Sequence, residues 1–494
     1  MPAKQTPLIP FGEWTPDQLD TFSAGATVAR NCRTQGDDYI PQPDIGAVSA
    51  ALGERCMGAF ACRDSMGTVH QFAGTASALF KLSGTAWTAV TRSGSGYSTS
   101  ADGWWCFINF GDRVMATNLA DYVQSFILGM DTQFSNLTAA PQCHGLVVIN
   151  NFVVAFGIVG YNQRTQWCAL NNPTDWTPSL ATQADYNDIL GDGGNLQWVA
   201  GSQNTGTAVM EKELWRLTYV GGGLIFQFDR IESQTGTPVP RSVAAYGAMT
   251  FYLAENGMKL FDGTQSLPIG DGKVDKYFYS RVDRNYLRSR VMTVADPNGK
   301  AIVLGYPNSA DSNDGTITHL LVVAMTNRYR WTEVAKNLEV LQSGLTIGLT
   351  LDNLTTLYGT LDQVPFSFGS AVWQGGSYLL AGFDTNHKLG FFDGANLQAT
   401  IETTEAQLNP GGFAAADSVM AITDASDVQI QIGYRNGQSN VVPVTYTAAQ
   451  TPQADTGECN FEEGAKYHRA RITLGGTWKV ARGVEIRPIS IGGV

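Results

Sequence analysis

Residues 214–278 read LWRLTYVGGGLIFQFDRIESQTGTPVPRSVAAYGAMTFYLAENGMKLFDGTQSLPIGDGKVDKYF. Apolar and polar residues alternate here in short runs. LWRLTYV stops at Gly221-Gly222-Gly223 before LIFQFDRI resumes, and MTFYLA stops at Glu255-Asn256-Gly257 before MKLFDG. A side-chain period of two, cut by Gly clusters and Asn-Gly, is the pattern of antiparallel hairpins, and no helical period competes with it. The stretch therefore predicts an all-β chain built from repeated meanders.

The same rhythm extends in both directions. Short strands separated by turn residues fill 50–135, 145–230, 243–274, 290–334 and 345–395, the last with LTIGLTL, LTTLYGTL and AVWQGGSYLLAGF. GLVVINNFVVAFGIVG (145–160) reads as one hairpin turning at Asn150-Asn151. Four units share a plan in which an aromatic–aliphatic strand meets a Gly turn and a new strand begins. They are LFKLSGTAWTAV (79–90), LWRLTYVGGG (214–223), MKLFDGTQSLPIG (258–270) and HKLGFFDGANLQATIET (387–403); the tags AWTAV (86–90) and RWTEV (330–334) also match. Degenerate repeats of several strands each predict β-propeller blades, of a number the sequence does not fix. From about residue 400 the style changes, with strands flanking Asn436-Gly437 and RARITLGGTWKVARGVEIRPISIG near the end. The expected organisation is an extended Pro-rich arm over 1–45, a propeller-like domain over 46–399, and a smaller β-sandwich-like domain over 400–494 that forms a platform together with the arm. Helices are few, with DKYFYSRVDRNYLRSR (275–290) the best candidate.

Composition agrees with that class. The chain has 494 residues, too many for a single core. Only 15% are charged, while Gly number 54 and aromatics make up 11%, as many tight turns between short strands require. A net charge of −12 disfavours wrapping nucleic acid through clustered Lys and Arg, but does not argue against a surface along which DNA slides without sticking. The seven Cys (32, 56, 62, 106, 143, 168 and 459) include no CxxC pair, so reduced, buried thiols are expected. The five His (70, 144, 319, 387 and 468) have no metal-ligand spacing. MPAKQTPLIPFGEW lacks the apolar core of a signal peptide, and 145–160 is too short to span a bilayer. A soluble chain made in the cytoplasm is expected.

No motif points to catalysis. GDGKV (270–274) has Val274 where a phosphate loop needs Ser or Thr, and Gly221–Gly223 lacks a strand-to-helix context, so both read as turns. SADGWW (100–105) is a broken Asp-box, one residue short between Asp102 and Gly103, and no GxSxG elbow is present. The densest basic patch is Lys273, Lys276, Arg281, Arg284, Arg288 and Arg290. On one helix, Arg281, Arg284 and Arg288 would share a face, read here as a subunit contact or a solvated surface in preference to a DNA contact. The expectation is a non-enzyme with no catalytic, cofactor or metal site.

Four stretches together resemble the tail nozzle, or tail hub, proteins of short-tailed bacteriophages, the group that includes packaged-DNA stabilisation proteins. They are LIPFGEWTPDQLD (8–20) with TVARNCRTQGDDYIPQP (27–43), RTQWCALNNPTDWTPSLATQADYNDILGDGG (164–194), the opening stretch 214–278, and KYHRARITLGGTWKVARGVEI (466–486). Cys168 stands where Ser is expected. The resemblance implies a virion tail protein, hexameric, below the portal and its head-to-tail adaptor ring. Its ring would continue the DNA channel and retain the packaged genome until ejection. It would contact tail fibre, spike or needle proteins, pass double-stranded DNA without sequence-specific binding, and insert in no membrane. Inserts at 171–195 and 307–317 would offer docking or channel loops. The rival readings are a receptor-binding or glycan-degrading tail spike, and a scaffold of the WD type whose signatures do not recur at a fixed period.

Overall fold

The computed structural model of the chain describes residues 8–19, 25–312, 314–326, 328–346, 360, 376–438 and 442–491. Its strands follow the alternation read from the sequence. Five consecutive stretches each fold into a four-stranded antiparallel meander. Blade 1 runs from Gly58–Arg63 to Ala86–Ala89, blade 2 from Cys106–Phe110 to Ser135–Asn136, and blade 3 from Cys143–Ile149 to Asp185–Asp188. Blade 4 runs from Leu196–Gly201 to Ile225–Ser233, and blade 5 from Ala244–Tyr246 to Ser266–Pro268. The hairpin at 145–160 forms as read, with Asn150 in the left-handed region at φ 55°.

The ring closes with two further sheets. Blade 6 comprises Met292–Asp296, Ala301–Tyr306, Ile317–Ala324 and the first half of the long strand Trp331–Leu345. That strand shifts register around Leu338 and Val340, and its second half pairs with Tyr378–Asp384 to begin blade 7. Lys388–Phe391 follows, and the outermost strand is Gly46–Ala51 from the other end of the chain. The innermost strands touch in turn, from blade 1 through blade 7 and back to blade 1. The molecule is therefore all-β, with a seven-bladed propeller.

Apolar faces between blades fill with large side chains. Between blades 3 and 4, Phe152, Phe156, Trp167 and Phe226 are fully buried, and Trp167 meets Phe226 edge-on at 5.0 Å between centroids. Burying each such ring contributes about 1.5–3 kcal/mol.

The remaining strands form a sandwich beside blade 6. One sheet holds Ala26–Arg30, Ala399–Thr403, Tyr467–Gly475, Asp427–Arg435 and Thr445–Tyr446. The other is built on Phe413–Thr423 paired with Ala481–Ile491, and adds Leu8–Pro10, Cys32–Gln35 and Asp38–Pro41. Ile401, Ile430 and Ile472 of the first sheet pack in one core with Val419, Val484 and Ile486 of the second. Ala26–Arg30 also pairs in parallel with the outer strand of blade 6, Arg30 against Glu333, so propeller and sandwich share a continuous sheet.

This corrects two expectations. Residues 8–19 and 25–45 are not an extended arm; they contribute strands to both sheets of the sandwich, including their own hairpin between Cys32–Gln35 and Asp38–Pro41. Pro10 and Pro41 sit at strand ends, where a missing N–H costs little. The helix expected over 275–290 is two pieces, Asp275–Arg281 and Leu287–Arg290, because Val282 turns extended (φ −62°, ψ 136°) and bridges Asn308. Arg284 therefore does not share a helix face with Arg281 and Arg288. LTTLYGTL apart from Thr360, most of LTIGLTL and the first five residues of AVWQGGSYLLAGF lie outside the described residues.

Candidate functional site at the propeller axis

All seven innermost strands run the same way, so the residues just before or at their starts gather on one face around the axis, here called the upper face. They include Arg55 before blade 1, Trp104 before blade 2, His144 in blade 3 and Gln197 in blade 4. Arg241 precedes blade 5, Arg288 and Arg290 precede blade 6, and Glu339 lies in blade 7. Their side chains reach across to one another. Arg290 donates to the Ala101 carbonyl at 2.7 Å, linking blades 6 and 2. The Arg241 guanidinium lies 5.7 Å from the Trp104 ring and donates to Met292 Sδ at 3.4 Å. Trp104 stacks on His144 at 5.4 Å, and Arg288 donates to Gln197 Oε1 at 3.2 Å. A cavity of about 250 Å³ beside them is lined by His144, Asn195, Gln197, Pro240 and Arg288, among others.

The electrostatics are one-sided. Burial pushes the Arg241 guanidinium down to about 10, and the neighbouring charges of Arg290 and Arg55 push the same way. Arg290 is lowered by burial and then by Arg55. His144 is lowered by burial and then by Arg288, which keeps its imidazole neutral near pH 7. SADGWW, read in the sequence as a broken Asp-box, has a local task here. Its turn, Gly103 N–H to Ser100 carbonyl at 2.8 Å, presents the Ala101 carbonyl and the Trp104 ring to the arginines.

The other sequence candidates disperse. Lys273 pairs with Glu13 at 2.7 Å, and the GDGKV turn is clasped by the N-terminal segment through Asp17 N–H to the Lys273 carbonyl at 3.0 Å. Asp17 also accepts from the backbone N–H of Lys276 and Tyr277 at 2.8 and 2.7 Å, capping the Asp275–Arg281 helix from 260 residues away. Arg281 lies over its neighbour Tyr277 at 4.1 Å. Gly221–Gly223 is a hairpin turn in blade 4. All seven cysteines are buried free thiols. His70 pairs with Asp64 and His387 with Glu339 at 2.7 Å, while His319 lines an open cleft of about 660 Å³ with Arg30, Asp311, Lys336 and Asp384. Among the described residues, no three or more His, Cys, Asp or Glu converge as a metal site, and no helix is long and apolar enough to cross a membrane.

A second surface lies on the sandwich. Along Ala481–Ile491 the side chains of 485, 487, 489 and 491 share the outer face; Val484 and Ile486 point into the core. Ile489 is 50% exposed and Ile491 41%; Phe413, directly opposite Ile491, is 40%, and Leu8, opposite Glu485, is 55%. This face was not legible in the sequence, and of the axial cluster only Arg288 and Arg290 stood out there, as part of the basic patch.

No protein-family model matches the chain, and no curated protein matches it. Among solved structures, BamB from Moraxella catarrhalis aligns at 10% identity and TM-score 0.37, covering 73% of this chain and 92% of that one. The computationally designed Ika8 protein aligns at 9% and 0.34, covering 70% and 99%. BBS1N, solved in complex with ARL6DN, aligns at 9% and 0.39, covering 72% and 96%.

Proposed function

We propose that this chain is a structural protein of a short phage tail. In this reading it is a nozzle subunit, six to a ring, below a portal and its adaptor ring. The ring continues the DNA channel and retains the packaged double-stranded DNA until infection. The resemblance of four stretches motivates the reading. The observation that carries it is the neighbourhood of the stretches at the two chain ends. Residues 8–20, 27–43 and 466–486 combine in one sandwich, through Leu8–Pro10 against Ala481–Ile491 and Ala26–Arg30 against Ala399–Thr403, itself paired with Tyr467–Gly475. The outer face of that sandwich carries Leu8, Phe413, Ile489 and Ile491 exposed. Exposed apolar side chains on this face, interleaved with Glu485 and Arg487, suit a contact with a neighbouring copy.

The charge fits a DNA conduit. Six copies of a chain at −12 each repel DNA from acidic walls and let it pass without being trapped. Blade-connecting loops offer docking points for fibre, spike or needle proteins. Chemistry is not part of the role.

Native mass spectrometry of the purified chain with and without a portal–adaptor complex tests this. Sixfold addition to the complex is expected. A monomer that never joins it, and that depolymerises host glycans, would replace this reading with the tail-spike alternative.

A further inference from the structure

Most arginines of this acidic chain have a carboxylate partner. Arg33 pairs with Asp296, Arg92 with Asp121, Arg164 with Asp188, and Arg469 with Glu402 and Glu405, at 2.7–3.1 Å. The upper end of the propeller axis breaks that habit. Among the described residues, Arg55, Arg241, Arg288 and Arg290 form no ion pair, although the first, second and fourth are close enough to repel one another. Arg290 is 9% exposed; among the described residues its Nε has no hydrogen-bond partner, and its side-chain hydrogen bond goes to the neutral Ala101 carbonyl. Arg241 has only a thioether and an indole face.

Among the described residues, none of the nearby acids forms an ion pair with these arginines. Glu339 accepts from the Cys56 N–H at 2.9 Å and pairs with His387. The exposed Asp314 accepts from Thr316 N–H and Ser312 Oγ at 2.9 and 3.1 Å. Asp102 is exposed and makes no ion pair among the described residues. Guanidinium groups brought together in a half-buried setting, with Asp102 and Asp314 acting on Arg290 only from outside ion-pair distance, cost free energy, and a bound oxyanion in direct contact offsets that cost.

We propose that the upper end of the propeller axis binds a phosphate group, held by Arg55, Arg241 and Arg290 with Arg288 at the rim. Arg290 and Arg241 both reach the 101–104 turn, one at the Ala101 carbonyl and the other over Trp104, and planar forks from different blades suit an anion with oxygens on all sides better than a single planar carboxylate. The group has two sources, free inorganic phosphate or a phosphodiester of DNA. The site is independent of any role in a tail.

Thermal unfolding of the full chain in phosphate, against sodium chloride at matched ionic strength, tests it. Saturable stabilisation is expected for the natural chain, with apparent affinity about tenfold weaker in Arg55→Gln and in Arg290→Gln. Arg55 is partly exposed, so Arg55→Gln keeps the fold, which near-ultraviolet circular dichroism checks. A short DNA duplex forms the second arm. Duplex binding that phosphate competes away and Arg55→Gln weakens assigns the phosphodiester. Phosphate stabilisation without duplex binding assigns the free ion. No response beyond the chloride control, or equal responses from the natural chain and both variants, overturns the proposal.

Discussion

Blades 3 and 4 and the platform solve the same problem with different chemistry. Each blade is one unbroken stretch of chain, and its strands meet through hairpins. The faces between them are filled by aromatic and aliphatic side chains such as Phe152, Trp167 and Phe226. The platform joins segments hundreds of residues apart, and buried polar groups mark its joints. Glu402 accepts from Thr27, 375 residues away, and pairs with Arg469 and Arg471. Glu333 accepts from Tyr277 and Tyr306 at 2.8 and 3.3 Å and pairs with Arg30. Local hairpins fix their own register through turns. Distant strands have no turn between them, and directional bonds to buried carboxylates supply the alignment instead. Such bonds add little net stability but penalise wrong pairings strongly.

Five changes would break or sharpen that contrast. The largest effect is expected from Trp331→Ala. This buried indole donates to the Ile269 carbonyl at 2.9 Å and packs in the core shared by platform and propeller, so the loss is about 3–5 kcal/mol. Phe152→Ala should cost a similar amount. Hydrogen exchange separates the two: faster exchange in platform and blades 5–6 for Trp331→Ala, and in blades 3–4 alone for Phe152→Ala. Identical footprints would erase the contrast. Asp17→Ala, which removes the long-range cap of the Asp275–Arg281 helix, is expected to cost about 1–2 kcal/mol in urea unfolding.

A pH effect comes from the same joint. Burial raises the Asp275 carboxyl to about 6 from 3.8, and Asp17 and Asp271 add to the rise. Gly257 and Gly270 leave the space its carboxylate fills, since a Cβ at either would strike it. Between about pH 4 and 6 the folded chain holds a proton that the unfolded chain has released. Stability from this group therefore falls as pH rises through that window, and is constant above it. Asp275→Asn should flatten that part of the stability profile; an unchanged slope would place the proton elsewhere. The smallest effect belongs to a blade edge. Arg164 sits between Tyr161 and Tyr186, at 3.8 and 4.0 Å, beside Asp188, and Arg164→Ala should cost less than about 1 kcal/mol without altering the platform.

Legibility followed the same division. The repeat seen in LFKLSG, LWRLTY, MKLF and HKLGFF marks the third strand of blades 1, 4, 5 and 7. AWTAV and RWTEV mark the fourth strand of blades 1 and 6. After HKLGFF the chain leaves for the platform, and Gly46–Ala51 supplies the missing fourth strand. Nothing in GAVSAA reveals that partner, because pairing across such a distance leaves no local pattern. The axial arginines were hidden for a related reason. Arg241 stands far in sequence from Arg55 and Arg290, and only radial symmetry unites them. One signal was available: Arg55, Trp104, Arg241 and Arg290 each stand two or three residues before an innermost strand.

The most direct test of the account charges the outer face of the platform. Phe413→Glu with Ile489→Glu leaves the core side of both strands intact, so the variant should fold with an unfolding temperature close to that of the natural chain. Native mass spectrometry with the portal–adaptor complex should then show the natural chain adding sixfold and the variant not adding at all. A variant that adds six copies as readily as the natural chain would contradict the claim that the joined chain ends carry the ring contact.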